Sequence, residues 1–211
     1  MNPIDHHAAP LLLNQQQVRD YLPALPVRAA LSALFQALAH ERAVQPAQTL
    51  TSAKGQIRVT QVARGLAHPW SLAFLPDGQG MLVTERQGNL RIIGADGKVG
   101  APLSGVPQVW AKGQGGLLDV ALSPQFKQDR MVYLSYAEGG GEGDTAGTTV
   151  GRGRLSADNI RLEDFNVIFR QQPKLSSGNH FGSRLVFDRD GYLFIALGEN
   201  NQRPTAQDLD K

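Results

Sequence analysis

The sequence contains no cysteine, which excludes both disulfide bridges and thiolate metal sites. It also lacks any run of about 18 apolar residues, the length that a transmembrane helix needs. Its charges are mixed along the chain and sum to +2, without the basic cluster that a nucleic-acid-binding surface requires. We therefore expect a protein with no membrane span and no nucleic-acid partner.

Turn-forming residues are abundant in what remains. The chain has 23 glycines and 12 prolines among 211 residues, and 41% of its residues are apolar. This balance is typical of a globular protein rich in turns rather than of a disordered chain. The length suits one domain or slightly more.

Residues 1–55 differ in composition from the rest and are predicted to form an N-terminal extension. Residues 27–42 follow a proline and carry an apolar stripe at helical spacing, which predicts an amphipathic helix. The stripe consists of Leu31, Leu34, Phe35 and Leu38. The same segment also resembles a poor secretory signal, and disorder is the third interpretation. Residues 43–55 are predicted to be a linker.

From residue 56 onward the pattern indicates short β-strands separated by Pro, Asp or Gly turns. One strand–turn–strand unit occurs three times, in residues 71–84, 119–135 and 184–196. Aligning Phe74, Leu122 and Phe187 gives spacings of 48 (122 − 74) and 65 (187 − 122) residues. Four-stranded blades of a β-propeller repeat every 40–50 residues or so before insertions, so a propeller is the preferred fold. A β-sandwich ranks second because its strands would be spaced more closely and more evenly.

The longer second interval contains a glycine-rich segment, residues 138–144, which is predicted to be a flexible loop between two strands. Propellers typically close with about four to eight blades, more than the three repeats present here. The sequence is therefore interpreted as a truncated one that holds part of a propeller.

The best candidate site lies within residues 175–203. Two predicted strands, 185–187 and 192–197, flank an Asp/Gly turn and should form a β-hairpin. His180 precedes the first strand and Glu199 follows the second, so antiparallel pairing would bring the two side chains together. An imidazole beside a carboxylate can act as a general base near neutral pH. The alternative is an ordinary surface histidine, although the flanking glycines favour close approach to a ligand.

Other noticeable residues are given structural interpretations. Asp188 and Asp190 are assigned to hairpin-turn chemistry rather than to a calcium loop. Trp70 and Trp110 are expected to pack between blades. No role is assigned to three arginines, Arg86, Arg91 and Arg152.

Several separated motifs point to a known family. They are HPWSLAF at 68–74, TER at 84–86, GQGGLLD at 113–119, GNH at 178–180 and ALGENNQR at 196–203. In type and order they resemble the soluble quinoprotein sugar dehydrogenases (the glucose/sorbosone dehydrogenase family), and especially the aldose sugar dehydrogenase branch. The similarity covers about residues 56–211 and does not extend to the N-terminal part.

This resemblance implies a six-bladed propeller, of which residues 56–211 would form about the first half. It also implies pyrroloquinoline quinone (PQQ) at one mouth of the axis, with calcium nearby. The reaction would oxidise the C1 hydroxyl of an aldose to a lactone and pass electrons to an external acceptor. His180 would be the general base, Glu199 the carboxylate beside it and Gln114 a cofactor contact. Asn179 stands where a relative has an acid, so its role in substrate binding stays open.

The resemblance further places the calcium ligands and the remaining cofactor contacts in the second half of the propeller. We therefore expect the isolated 211 residues to bind PQQ weakly or not at all, and to be inactive alone. A periplasmic location follows from the family together with the weak leader. Two other functions stay open, namely a propeller lactonase that uses metal-bound water and a non-catalytic propeller that serves as a binding surface.

Overall fold

The computed structural model describes residues 50–53, 56–59, 61–140 and 143–202. The predicted helix at 27–42, its alternatives as a leader or a disordered segment, and most of the predicted linker lie outside these residues. The chain divides into two compact units, Met1–Val62 and Ala63–Lys211. Within the described residues, no helix combines the length and the apolar character that a membrane span requires.

The described part of the first unit is one pair of short strands. Strand β1 (Leu50–Ala53) pairs in antiparallel fashion with β2 (Gln56–Val59). Residues 50–53 of the predicted linker are therefore extended and hydrogen-bonded.

The second unit begins with a three-stranded antiparallel sheet. Its strands follow chain order: β3 (Pro69–Phe74), β4 (Met81–Glu85) and β5 (Asn89–Ile93). A 3-10 turn at Pro76–Gly78 joins the first two strands, and Asp77 in it has a positive φ of 57°. Proline fixes φ at the start of such a turn, and a short Asp side chain tolerates the left-handed conformation that follows.

The second sheet has four strands, again in chain order. They are β6 (Leu117–Leu122), β7 (Met131–Gly139), β8 (Ala146–Leu155) and β9 (Leu162–Arg170). A single helical turn, α1 (Phe126–Asp129), connects β6 to β7. The predicted glycine-rich loop, residues 138–144, is wrong in its first two residues, because 138 and 139 still belong to β7 and pair with β8; residues 141 and 142 lie outside the described residues.

The third sheet is the predicted hairpin, formed by β10 (Gly182–Phe187) and β11 (Leu193–Leu197). Asp188 closes its turn because Oδ1 accepts hydrogen bonds from the backbone N–H groups of Asp190 (3.0 Å) and Tyr192 (2.8 Å). The assignment of this turn to Asx chemistry is confirmed.

The three sheets are held together by two apolar cores and by contacts between their first strands. One apolar core lies between the first two sheets, and a second lies between β7–β8 and the hairpin. The first core includes Leu82, Leu90, Leu117, Leu134 and Tyr136, and the second includes Tyr133, Val150 and Leu185. Strand β6 lies against both β3 and β10. Antiparallel meanders that stack in chain order through their first strands are blades, so the predicted all-β partial propeller is confirmed.

A buried carboxylate joins the three first strands. Asp119 in β6 accepts a hydrogen bond from the Ser71 hydroxyl of β3 at 2.5 Å and from the Leu185 N–H of β10 at 2.7 Å. The Arg184 guanidinium lies 3.3 Å from the same carboxylate. A buried charge is tolerated when it is paired and hydrogen-bonded in this way, so Asp119 fixes the relative positions of the three sheets.

Candidate active site

The loops that lead into β6 and β10 lie at the same end of the sheets. The two strands are neighbours and both begin at this end, so the segments before them meet. The meeting is direct, because the Gln114 N–H donates to the Gly178 carbonyl at 2.9 Å. We call this end the mouth and define it by residues 111–116 and 178–181.

The mouth holds His180 in an unusual backbone conformation. His180 has a φ of 53°, and the nearby Gly178 and Gly182 have φ values of 67° and 70°. A positive φ is unfavourable for a residue with a Cβ atom and persists only when neighbouring groups hold it. Here the His180 N–H donates to the side-chain Oε1 of Gln114 at 2.9 Å.

Glu199 is brought to His180 by the hairpin. The two strands place Gly182 opposite Leu197, so the chain after β11 passes beside the chain before β10. Gly198 is required at the crossing, because a Cβ atom there would overlap the His180 carbonyl. His180 Nδ1 and Glu199 Oε1 lie 2.5 Å apart, so the predicted juxtaposition is present in the structure.

The hydrogen bond to Glu199 defines the tautomer of a neutral His180. The hydrogen bond with His180 lowers the pKa of Glu199 below its ordinary value, so the carboxylate is ionised near neutral pH. An ionised carboxylate accepts only, and Nδ1 must therefore carry a proton. Nε2 of a neutral His180 is then left with a free lone pair on a side chain that is 44% exposed.

Gln114 sits on a loop that only glycine allows. Gly113 and Gly116 have positive φ values of 53° and 142°. A Cβ atom on Gly113 would overlap the Gly178 carbonyl, and one on Gly116 would overlap the Arg86 carbonyl. The Gln114 side chain is exposed, and within the described part of the chain its Nε2 group has no hydrogen-bond acceptor.

Arg86 binds the backbone carbonyls of this loop, a contact that the sequence did not reveal. Its Nη1 atom donates to the carbonyls of Gly113 (2.9 Å), Gly115 (3.2 Å) and Ala111 (3.4 Å). The backbone of Arg86 also accepts from the Leu117 N–H at 3.0 Å. The only signal in the sequence is the TER motif, which does not show which loop the arginine meets.

Trp110 packs against both loops of the mouth. Its ring lies against Gly115 and Gly178, and its centroid is 6.1 Å from that of Phe181. The indole N–H donates to Asp144 Oδ1 at 2.9 Å. The expectation that Trp110 packs between sheets is confirmed, whereas Trp70 is 49% exposed and does not follow it.

The other two arginines without an assigned role have structural contacts. Arg91 Nε lies 2.9 Å from Oε2 of the fully buried Glu85, and Arg152 donates to the Tyr133 hydroxyl at 3.3 Å. Burial alone would raise the pKa of Glu85, but hydrogen bonds from the Ala67 N–H, Arg91 and Asn89 outweigh it and lower that pKa. These contacts stabilise sheets rather than the mouth.

No cluster of three or more histidine or acidic side chains suited to hold a metal ion is found among the residues that the structure describes. Asn179 donates its backbone N–H to the Ser177 hydroxyl at 3.2 Å, which orders the loop before His180. The mouth therefore combines a hydrogen-bonded imidazole–carboxylate pair with a neighbouring amide. Such a set can take a proton from a bound hydroxyl and donate one hydrogen bond to an oxygen beside it.

Comparisons with known proteins show which family the chain is similar to. The family described as Glucose / Sorbosone dehydrogenase matches residues 66–211. The chain is 62% identical to aldose sugar dehydrogenase YliI of Escherichia coli (strain K12) over 162 residues, which is 77% of this chain and 43% of that protein. It is 37% identical to a Synechocystis protein, slr1608, over 157 residues, which is 71% of this chain and 37% of that protein.

Solved structures give the same result. The apo form of the soluble aldose sugar dehydrogenase from Escherichia coli superposes with a TM-score of 0.66 and 66% identity, covering 69% of this chain and 42% of that one. The PQQ-bound aldose sugar dehydrogenase from Streptomyces coelicolor superposes with a TM-score of 0.60 and 32% identity, covering 70% of this chain and 42% of that one. The chain thus spans less than half the length of these relatives.

Proposed function

Because the chain belongs to the glucose/sorbosone dehydrogenase family, we propose that it serves PQQ-dependent oxidation of aldose sugars at the C1 hydroxyl, giving lactones. The observation that carries the proposal is the His180–Glu199 pair, with Nδ1 and Oε1 2.5 Å apart, beside Gln114 at the mouth. An external electron acceptor completes the proposed reaction.

His180 is the proposed general base. Glu199 keeps the Nδ1 proton in place, so the Nε2 lone pair is available to take the proton of the sugar hydroxyl. The imidazolium that forms is stabilised by the same carboxylate, as in a Ser-His-Asp arrangement. General-base assistance of this kind contributes about 10²–10⁴-fold in rate.

Gln114 is the residue of this chain that we propose to contact the cofactor. Its Oε1 atom is occupied by the His180 N–H, which leaves the exposed Nε2 amide as a donor for a quinone carbonyl or carboxylate. This donor fits one edge of PQQ, and a relative from Streptomyces coelicolor is known in a PQQ-bound form. When bound, PQQ supplies the acceptor for the hydride that leaves C1.

Calcium is also part of the proposal. We expect the calcium ligands in the portion of the relatives that this chain does not match. We expect the remaining contacts to PQQ in the same portion. A periplasmic location is proposed from the family, and cell fractionation of the native host tests it.

A dye-reduction assay with aldoses tests the function. It compares the 211-residue chain with an extended chimera, in which the chain is continued by the unmatched remainder of the E. coli relative. The chimera should reduce the dye only with PQQ and calcium present, and the chain alone should bind PQQ weakly or not at all. Activity of the chain alone would refute the second expectation.

Substitution in the chimera then assigns the base. His180→Ala should lower kcat by about 10²–10⁴-fold. The control is Gln128→Ala, which changes an exposed residue of α1 at the other end of the sheets. A chimera that hydrolyses lactones, or that binds sugars without any PQQ-dependent turnover, would favour the lactonase or the binding module and overturn the proposal.

A further inference from the structure

Three carbonyl groups of the Gln114 loop converge on one guanidinium group. Those of Ala111, Gly113 and Gly115 lie 3.4, 2.9 and 3.2 Å from Arg86 Nη1. All three carbonyls face one nitrogen, whose two N–H groups they share, and the guanidinium stays charged, so it can hold several backbone carbonyls in one arrangement. The loop itself contains one internal turn bond, from the Gly115 N–H to the Lys112 carbonyl at 2.8 Å.

The loop held by Arg86 is hydrogen-bonded to the segment that contains His180. The Gln114 N–H donates to the Gly178 carbonyl, and the Gln114 side chain accepts from the His180 N–H, both at 2.9 Å. His180 has a positive φ of 53°, a conformation that needs external support. A continuous series of hydrogen bonds thus connects Arg86 to the backbone of His180.

We infer that Arg86 is a positioning residue that fixes the 111–115 loop and, through Gln114, the backbone of His180 beside Glu199. The expected effect of Arg86 on catalysis rests on the proposed function, whereas its effect on the structure of the mouth does not. Within the described residues no hydrogen bond or ion pair joins Arg86 to His180 or Glu199, so we expect its effect to act through the loop.

Amide hydrogen exchange on the 211-residue chain tests the inference without any cofactor. In Arg86→Ala, the amides of Gln114 and His180 should exchange about tenfold faster, since each loses a hydrogen bond of typical strength. Buried amides of β7, such as Val132 and Leu134, should keep their wild-type exchange rates. Arg86→Lys provides a second variant that keeps the charge but not the planar fork.

Two controls separate positioning from a general loss of structure. Gln114→Ala should speed exchange at His180 only, because the residue 114 N–H still donates to Gly178. Arg130→Ala removes a guanidinium that binds the Leu155 and Ser156 carbonyls at 2.8 Å at the other end of the sheets. It should leave the His180 and Gln114 amides as protected as in the wild type.

Two results would overturn the inference. In one, both mouth amides stay protected in Arg86→Ala and Arg86→Lys. In the other, protection in β7 falls together with protection at the mouth, which would make Arg86 a general stabilising residue. In the extended chimera, Arg86→Ala should lower kcat about tenfold with little change in KM. If the unsubstituted chimera is inactive, the proposed function fails while hydrogen exchange still decides the role of Arg86.

Discussion

Two arginines hold loops by the same chemistry at opposite ends of the sheets. Arg86 binds carbonyls of the 111–115 loop at the mouth, and Arg130 binds the Leu155 and Ser156 carbonyls at the far end. The contact distances are similar, from 2.8 Å at the far end to 3.4 Å at the mouth. The two arginines differ in the further contacts that the loop bound by each one makes.

The far loop makes hydrogen bonds within itself and one backbone bridge to the preceding segment, from the Ser104 N–H to the Ile160 carbonyl at 3.1 Å. Ser156 accepts from the Asn159 N–H at 3.0 Å, and its hydroxyl donates to Asp158 at 2.5 Å. The mouth loop instead extends a side chain to a residue 66 positions away, from Gln114 to His180. The same kind of contact stabilises a turn at one end and positions a titratable side chain at the other.

The largest effect at the mouth is expected from Glu199→Gln. An amide in place of the carboxylate can donate to Nδ1, which would move the imidazole proton to Nε2 and remove the free lone pair. We expect kcat of the extended chimera to fall about 10²-fold or more. Nitrogen NMR of His180 in the 211-residue chain should show the changed tautomer.

The matched control for Glu199→Gln is Glu163→Gln, which changes an acid paired with Arg161 at the far end. It should keep both the activity and the His180 tautomer of the parent. If Glu199→Gln behaved like this control, the carboxylate would have no part in preparing His180.

The features that could be predicted from the sequence are those that depend on contacts within one hairpin or one strand–turn–strand unit. The His180–Glu199 contact followed from a hairpin, because a short turn with Asp and Gly fixes the register over 19 residues. The blade pattern followed from repeated strand–turn–strand units. Both depend on local chemistry, which a single sequence records.

The contacts that the sequence did not reveal all depend on how sheets stack. Asp119 joins strands 48 and 66 residues away, and Arg86 meets a loop 27 residues later. Residue type and spacing within one strand do not specify which neighbouring sheet lies opposite. For that reason Arg86 had no assigned role, and Gln114 was interpreted only through the family resemblance.

A second test applies to the far end. Arg130→Ala should lower the free energy of unfolding by about 2 kcal/mol, since charged hydrogen bonds to Leu155 and Ser156 are lost. Urea unfolding of the 211-residue chain measures this. The kcat of the extended chimera should stay at the parent value under conditions where the variant is folded. A clear loss of kcat in the folded variant would remove the functional difference between the two arginines.

The smallest expected effect concerns Glu138, which holds the segment that leads to His180. Its Oε2 atom lies 2.9 Å from Arg170 Nε and 2.8 Å from Lys174 Nζ. Burial opposes ionisation of Glu138, but hydrogen bonds from these two cations outweigh it and lower its pKa below the ordinary value of 4.5. The ionised group therefore stabilises the fold above pH 4.5, and this contribution is lost as the pH falls through the lowered pKa.

Glu138→Gln should consequently cost less than about 1 kcal/mol at pH 7, because partly exposed ion pairs contribute little. The cost should disappear below the lowered pKa, where Glu138 is protonated in both folded and unfolded chains. Urea unfolding at pH 7 and in steps below 4.5 measures this difference. Amide exchange locates it, since the Leu175 N–H, in the segment that leads to the mouth, should lose protection in the variant while the Asn159 N–H at the far end should not. A cost that is equal at both pH values, or exchange that changes equally at both ends, would show that Glu138 does not act on the mouth through its charge.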